Sequence, residues 1–417
     1  YVYPPHRIVL LYKLLKSLKK ALSISPQNIE NISQLLDSTV IIIKAKSLAD
    51  KFTSKLRKIY GYIPGFFRIL KNLNKIYSSL SKRWEYYIIK NYPILLKKFG
   101  SLFTLSSLDN IASLPSNEEI ANIIVILDGL RYDDFIMRLW PRLKRAGFKK
   151  IKIVPKISLL PSITHISRRA IIMGDIPVNM IFSRELRQKE EDLLKKRFSS
   201  IEYYYGPINL ILNKFKKQEH HERNILLVLS ELEKVMHGAS EDIMVHFVEE
   251  YLDNIIELLM FILSNISKQT EKIHLTICSD HGLGIYIRYE EINDFIDDLH
   301  KKNLLDRSLE PIIKERYAII PLSDENATFE AEQIYHSREG YRNKFWLVPA
   351  DRLLFENIEF RRKGTQIFTT IKKASSVIVL FPKGPTKFTP GRGAVFHGGT
   401  SPEEMITAYG IFSFSAF

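Results

Sequence analysis

Apolar side chains recur every three or four positions through the first hundred residues, with lysines between them, a pattern typical of amphipathic helices. Leu48, Phe52 and Leu56, spaced four apart, would share one helix face. Pro26 and Gly61 mark breaks, and residues 106–117 are polar and rich in serine. We therefore predict an all-helical region over residues 1–118 and a second domain over residues 119–417.

Beyond residue 120 the pattern changes to short apolar runs separated by helical patterns. The runs cover residues 122–127, 149–154, 224–229, 273–278, 345–348 and 375–381. The clearest helical pattern between them spans residues 244–267. Apolar strands that alternate with helices indicate a mostly parallel sheet covered on both faces. The predicted fold class is α/β, with a mixed, mostly parallel sheet flanked by helices after the helical region.

The positive charge lies almost entirely in the predicted helical region. The chain carries a net charge of +15, and residues 1–118 hold 19 Lys and Arg against 6 Asp and Glu. Such asymmetry indicates attraction to nucleic acid or an acidic membrane surface, although a lysine-rich solvated helix surface would look the same. The aromatics among the lysines of residues 66–99 would either stack on bases or fill a helical core, and we favour the core.

Cysteine content and hydropathy limit the class of protein. Cys278 is alone, so no internal disulfide is expected, and its apolar surroundings predict a buried strand residue. No charge-free apolar run reaches eighteen residues, so no membrane-spanning helix is expected. We therefore expect a cytoplasmic protein.

Carboxylates and histidines follow several of the apolar runs, where binding sites form in parallel sheets. Asp128 follows the first run directly, and Asp280 with His281 follows the run at 273–278. Glu233 and His237, four apart, would share one face of a helical turn and reach the same metal ion. His397 precedes a Gly-Gly pair near the end of the chain. Each pattern alone could equally be a surface pair, a helix cap or a tight turn, and only the joint arrangement is informative.

Over roughly residues 120–417 the sequence resembles the PglZ domain, a branch of the alkaline phosphatase superfamily. Four segments carry the resemblance: DGLRY from Asp128, the stretch from Pro161 through Thr164 to Gly174, SDHG around Asp280, and HGGTSPEEM from His397. The last is the most specific of the four. The resemblance implies the superfamily fold, a mixed sheet flanked by helices.

The resemblance also implies roles for the candidate residues. Asp128, Thr164, Asp280 and His281 would hold one divalent ion, and Glu233, His237 and His397 a second. The oxygen and nitrogen donors suit zinc, or less well manganese. Thr164 would be the nucleophile. Arg131, Arg168 or Arg169 could pair with the substrate phosphate, because a guanidinium matches it bidentately, and we select Arg168 as the arginine beside the nucleophile. The superfamily usually has Asp where Glu233 stands, and Glu231 is a competing ligand.

These roles imply a two-metal phosphodiesterase that acts on nucleotides or nucleic acid through a threonine nucleophile. One alternative is a catalytically weak interaction module of a phage-defence or signalling system, in which residues 1–118 dock a protein partner. Another is a phosphomonoesterase or sulfatase. The expected partners are a phosphate-ester substrate, nucleic acid bound through residues 1–118, and proteins of such a system.

Overall fold

A computed structural model describes most of the chain. It covers residues 16–24, 31–60, 64–109, 120–183, 189–198, 200–217, 224–236, 241–266, 272–286, 288–366, 368–390 and 395–415. Among these residues no helix is both long and apolar enough to cross a membrane.

The described N-terminal residues are helical, as predicted. Residues 16–22 form α1, and two long helices follow, α2 (Ile32–Tyr60) and α3 (Pro64–Phe99). Trp84 and Tyr92 of α3 are almost completely buried, which confirms the core interpretation for these two aromatics. Tyr86 is 50% exposed, so the interpretation does not extend to every ring of this helix.

The remaining helices alternate with strands, as the pattern of apolar runs predicts. They are α4 (Tyr132–Asp134), α5 (Trp140–Arg145), α6 (Thr164–Met173), α7 (Glu190–Arg197), α8 (Ile208–Lys217), α9 (Glu231–Met236), α10 (Glu241–Ile266), α11 (Asn293–Lys301), α12 (Glu325–Ser337), α13 (Glu339–Lys344) and α14 (Pro402–Met405). A π-helical turn, Phe135–Leu139, joins α4 to α5, and 3-10 turns cover Gly100–Leu102, Thr104–Leu108, Ala350–Leu353 and Ala374–Ser376.

Eighteen strands are assigned within the described ranges. They are β1 (Ile120–Leu127), β2 (Lys149–Ile157), β3 (Asn179–Met180), β4 (Glu202–Gly206), β5 (Asn224–Leu229), β6 (Lys272–Ser279), β7 (Gly284–Ile285), β8 (Arg288–Tyr289), β9 (Leu309–Glu310), β10 (Ile312–Ile313), β11 (Ala318–Pro321), β12 (Phe345–Pro349), β13 (Asn357–Arg362), β14 (Phe368–Lys373), β15 (Val377–Pro382), β16 (Thr386–Lys387), β17 (Val395–Phe396) and β18 (Ile406–Ser415).

Six of these strands form the central sheet, in the order β2-β18-β6-β1-β5-β4. The neighbours β4, β5, β1 and β6 pair in parallel, whereas β18 runs antiparallel to both β6 and β2. This arrangement confirms the predicted mixed, mostly parallel sheet. Leu127 is in register with both Leu229 and Ser279, so the residues after β1, β5 and β6 emerge side by side.

The predicted strands at 345–348 and 375–381 are strands, but they lie outside the central sheet. β12 and β15 pair antiparallel within a second sheet, ordered β10-β11-β15-β12. Residues of this sheet, among them Phe345 and Leu380, belong to a separate hydrophobic cluster that also includes Phe295. Apolar runs of this length do not encode which sheet they join, because a strand buried on both faces reads the same in either.

The N-terminal helices pack against the central sheet. Trp84 and Tyr92 belong to the same hydrophobic cluster as Ile123 and Val125 of β1. Ser107, in the predicted polar linker, is instead fully buried in a 3-10 turn. Residues 110–119, with the predicted domain boundary, lie outside the described residues, so that boundary stays a prediction.

Candidate metal centre

Two carboxylates emerge beside each other at the carboxyl edge of the central sheet. Asp128 follows β1 and Asp280 follows β6, and both side chains are buried. Asp280 Oδ1 accepts hydrogen bonds from the backbone N–H of Gly129 at 3.2 Å and of His281 at 2.9 Å. Parallel pairing of β1 with β6 therefore brings together residues that are 152 positions apart in the chain.

Thr164 is the first residue of α6, and its side chain faces the residues that follow β1 and β6. Its Oγ1 lies 2.9 Å from Glu233 Oε2, 2.9 Å from His281 Nε2 and 3.3 Å from Asp128 Oδ1. The extended backbone of Ile163 precedes it, so the helix begins at the site. The hydroxyl consequently lies between residues that come from three different strand ends.

The structure distinguishes between the two glutamates that compete in the sequence. Glu233, in α9, contacts Thr164 and also places Oε1 2.7 Å from His397 Nε2. Glu231, two residues earlier, accepts a hydrogen bond from the backbone of Ile208 at 3.4 Å. Glu233 is thus the member of the pair that lies in the cluster. His237 falls outside the described residues.

Both histidines are anchored so that one ring nitrogen faces the cluster. His281 Nδ1 lies 3.0 Å from the carbonyl oxygen of Gly282, and His397 Nδ1 lies 3.0 Å from that of Ser162. A carbonyl oxygen accepts only, so Nδ1 donates in each case and Nε2 is directed inward. This is the orientation that metal-ligating histidines usually have. The rings stack with centroids 4.2 Å apart.

Burial sets the protonation of the cluster. It raises the pKa of Asp280 to about 7, and it raises that of Asp128, with the negative charges of Asp280 and Glu233 adding to the effect. Burial, reinforced by His397, lowers the pKa of His281 to about 3. Burial alone would lower the pKa of His397, but the hydrogen bond and charge of Glu233, together with the Ser162 carbonyl and the charge of Asp280, outweigh burial and raise that pKa. His281 is therefore neutral at pH 7, as a ligand must be.

Arg168 lies one helical turn after Thr164 and contacts the cluster through Asp128. Its Nη1 donates to Asp128 Oδ2 at 3.3 Å and its Nε donates to Glu190 Oε1 at 2.8 Å. The guanidinium carbon lies 5.1 Å from the ring centroid of Tyr205. The side chain is only 9% exposed. Its predicted pairing with a substrate phosphate stays a prediction.

The residues present fit divalent metal ions. Asp128, Asp280 and His281 form one group of donors, and Glu233, His281 and His397 form another, with the donor atoms of each group within 4.8 Å of one another. Buried Asp280 Oδ2 has no hydrogen-bond partner in the part of the chain that the structure describes. An unsatisfied buried carboxylate oxygen is costly unless a cation is bound there. His281 belongs to both groups, whereas the resemblance assigns it to one.

Three residues that support the centre have no predicted role in the sequence. Ser162 Oγ donates to the carbonyl of Gly399 at 2.9 Å, and this contact links the Thr164 segment to the His397 loop. Arg316 and Glu404 form a buried ion pair under the same loop at 2.9 Å. Glu404 is the last but one residue of the HGGTSPEEM segment, so its motif position was a signal for it. Nothing in the local sequence of Arg316 indicates this contact.

Comparison with known proteins gives structural likenesses only. No family model and no curated protein match the chain. Human ectonucleotide pyrophosphatase/phosphodiesterase 5 is similar over 70% of this chain and 87% of its own, with 12% identity and a TM-score of 0.44. The murine protein of that name is similar over the same shares, with 11% identity and a TM-score of 0.44. An inactive murine variant in complex with AMP has the same identity and TM-score. At this identity and TM-score the likeness says nothing about the chemistry of this chain. The functional proposal therefore rests on the residues of the site.

Proposed function

We propose that this protein is a two-metal phosphodiesterase that uses Thr164 as its nucleophile. One observation carries the proposal: the Thr164 hydroxyl lies 2.9 Å from Glu233 and from His281, at the junction of the two donor groups. Threonine is a poor nucleophile unless its hydroxyl is activated, and a junction of this kind supplies the activation.

Asp128, Asp280 and His281 would hold one ion, and Glu233, His397 and the predicted ligand His237 a second, with the mixed donors favouring zinc. Bound ions would lower the pKa of an adjacent hydroxyl and offset the negative charge that develops on the phosphate. His281 contributes a neutral Nε2 because Gly282 fixes its Nδ1 proton.

The chain's own residues account for the proton and the bonds. Thr164 Oγ1 attacks phosphorus, its proton passes toward Glu233 Oε2 at 2.9 Å, and the bond from phosphorus to one alcohol breaks, the departing oxygen taking up a proton from solvent. The second alcohol stays on phosphorus, so the adduct on Thr164 is a phosphodiester. A water then attacks its phosphorus, the bond to Oγ1 breaks, a proton returns to Oγ1, and a phosphate monoester is released. The helix α6 begins at Thr164, so its N-terminal end would attract the phosphoryl oxygens. Arg168 acts as a positioning residue, since it fixes Asp128.

The excess of positive charge in residues 1–118 favours a diester within a polyanion, such as a nucleotide polymer, over a small monoester. Relative rates on bis-p-nitrophenyl phosphate, p-nitrophenyl phosphate and p-nitrophenyl sulfate test this preference. The diester should be cleaved fastest. Faster turnover of the monoester or the sulfate would instead support a phosphatase or a sulfatase.

Thr164→Ala should lower turnover of the diester by roughly 10³-fold or more, because no other side chain replaces the attacking oxygen. Elemental analysis should still find zinc in the variant, and Thr164→Ser should retain part of the activity. Wild-type protein that is acid-quenched during turnover of bis-p-nitrophenyl phosphate should carry a p-nitrophenyl phosphoryl group on Thr164 by mass spectrometry. A wild-type protein with neither bound metal nor turnover would support the interaction module.

A further inference from the structure

Glu404 touches both histidine-bearing loops of the centre. Its backbone carbonyl accepts a hydrogen bond from Gly282 N, directly after His281, at 2.8 Å. Its carboxylate accepts from Gly399 N at 3.0 Å and from Ser401 N at 3.1 Å, in the loop that follows His397. Glu404 is fully buried, so water does not compete for these bonds. One residue thereby bridges two loops whose histidines are 116 positions apart in the sequence.

The two loops pack so closely at Glu404 that their separation is fixed. A Cβ atom on Gly282 would lie 2.0 Å from the carbonyl oxygen of Glu403, and one on Gly399 would lie 2.7 Å from Glu404 Oε2. The imidazole planes of His281 and His397 are inclined by only 13°. A small shift of either loop would therefore change the stack and the direction of both Nε2 atoms.

Arg316 holds the Glu404 carboxylate in place. Its Nε and Nη2 donate to the two oxygens at 3.0 and 2.9 Å, a bidentate pair in which both side chains are fully buried. Arg316 is itself fixed by the carbonyl oxygens of Gly384 and Thr386 and by the ring of Tyr286, whose centroid lies 3.8 Å away. Burial favours a neutral Glu404, but Arg316, together with hydrogen bonds from Tyr286 and Gly399, outweighs burial and lowers the pKa of Glu404.

A buried ion pair adds little net stability, because desolvation offsets most of the attraction. Its directional hydrogen bonds, in contrast, specify where the partner groups lie. The pair occupies the place where backbone from both loops converges, and an apolar pair there would leave the N–H groups of Gly399 and Ser401 without acceptors.

We infer that Glu404, oriented by Arg316, is a positioning residue that sets the distance between the His281 and His397 loops. The inference rests on the proposed function in that the two histidines are taken as metal ligands. Glu404 itself touches neither substrate nor ions and acts through the backbone of the two loops.

Glu404→Gln tests the inference, because it keeps the volume of the side chain but removes the charge that Arg316 orients. Calorimetric zinc titration should show binding weakened about 10–100-fold relative to the wild type, as for other residues that orient ligands. Turnover of bis-p-nitrophenyl phosphate should fall mainly in kcat. Arg316→Lys keeps the positive charge but cannot form the bidentate pair with Glu404, so it should give an intermediate effect. Glu403→Gln is the matched control and should bind zinc as the wild type does.

A second measurement needs no metal. In the metal-free protein, the ring ¹⁵N signals of His281 and His397 should shift in Glu404→Gln and stay unchanged in Glu403→Gln. Unshifted signals together with wild-type zinc affinity would overturn the inference and leave the proposed function standing. Global unfolding of both Glu404→Gln and Arg316→Lys, seen by circular dichroism, would also overturn it, since the pair would then be merely structural. A wild type that binds no zinc would remove the proposed function, while shifted ring signals would still support the positioning role.

Discussion

The length of one side chain decides how the centre is connected. Glu233 reaches Thr164 with one carboxylate oxygen, at 2.9 Å, and His397 with the other, at 2.7 Å. An aspartate, one methylene shorter, would not reach both groups from the same backbone. The glutamate at this position is therefore matched to the distance between α9 and the His397 loop.

Glu233→Asp should lower kcat for the diester by about 10–100-fold and weaken zinc binding in parallel, because one of its two contacts is lost. Steady-state kinetics and zinc titration measure both effects. Glu231→Asp is the matched control, since its carboxylate faces the backbone of Ile208, and it should stay within about twofold of the wild type. Equal losses in the two variants would show that Glu233 has no special place in the cluster.

Among elements, the loop after β6 and the short helix α14 approach each other without space for a side chain. The Cβ of Gly282→Ala would meet the Glu403 carbonyl at 2.0 Å, and backbone cannot rotate away as a flexible side chain can. The variant should be destabilised by about 1–3 kcal/mol, and turnover should fall because His281 is the preceding residue.

Urea unfolding and the diester assay check this prediction, and Gly340→Ala provides its control. Gly340 lies in α13, and no atom lies within 4 Å of its added Cβ. Its replacement should leave turnover unchanged and stability equal or slightly higher, because alanine favours helix. A stable, fully active Gly282→Ala would contradict the close approach of the two elements.

Helix α3 is tied to the second sheet through a buried carboxyl. Glu85 accepts hydrogen bonds from Trp346 Nε1 at 3.3 Å and from Gly384 N at 3.2 Å, and burial raises its pKa to about 7. The folded protein therefore binds a proton more tightly than the unfolded chain, and Glu85 contributes stability that is lost as pH rises from about 4.5 to 7.

Glu85→Gln imitates the protonated carboxyl and should remove this loss. The free energy of unfolding of Glu85→Gln minus that of the wild type should be about 1–3 kcal/mol larger at pH 8 than at pH 4.5. Urea unfolding at the two pH values measures the difference. Glu339→Gln, at an exposed position of α13, should follow the wild type at both. A constant offset between Glu85→Gln and the wild type would mean that Glu85 does not titrate in this range.

In the whole molecule, the exposed Lys20 of α1 and Lys150 of β2 define one basic face beside the half-buried Lys44 of α2. Burial and the charges of Lys20 and Lys150 lower the pKa of Lys44, and Asp37 opposes them in part. If this face binds nucleic acid, as the charge of residues 1–118 predicts, affinity for single-stranded DNA should fall steeply with salt.

Fluorescence anisotropy between 50 and 200 mM salt would measure that dependence. The double variant Lys20→Glu/Lys150→Glu should bind about tenfold or more weakly and with a shallower salt slope, because fewer phosphate contacts release counterions. The double variant Lys302→Glu/Lys363→Glu, at exposed positions after α11 and in the turn after β13, changes the net charge by the same amount and controls for it. Salt-independent binding, or equal losses in both proteins, would exclude this face as the docking surface.

The sequence alone determined the periodic features of the protein. Helical spacing predicted α2 and α3, and the apolar runs predicted β1, β2, β5 and β6, because these patterns follow from local burial. The same runs placed Asp128 and Asp280 at strand ends, where register makes them neighbours. The strand β18 was not predicted, although its C-terminal half alternates apolar and polar residues. Its antiparallel position between β2 and β6 was not predicted either.

Only the tertiary structure decided which distant groups meet. It separated Glu233 from Glu231, placed His281 in both donor groups and directed Arg168 onto Asp128 and Glu190. It also brought Arg316 to Glu404, a contact between residues 88 positions apart. Periodicity reports which face of an element is buried, but which charged groups share that interior depends on strand order and loop packing, and neither is written in any single segment of the chain.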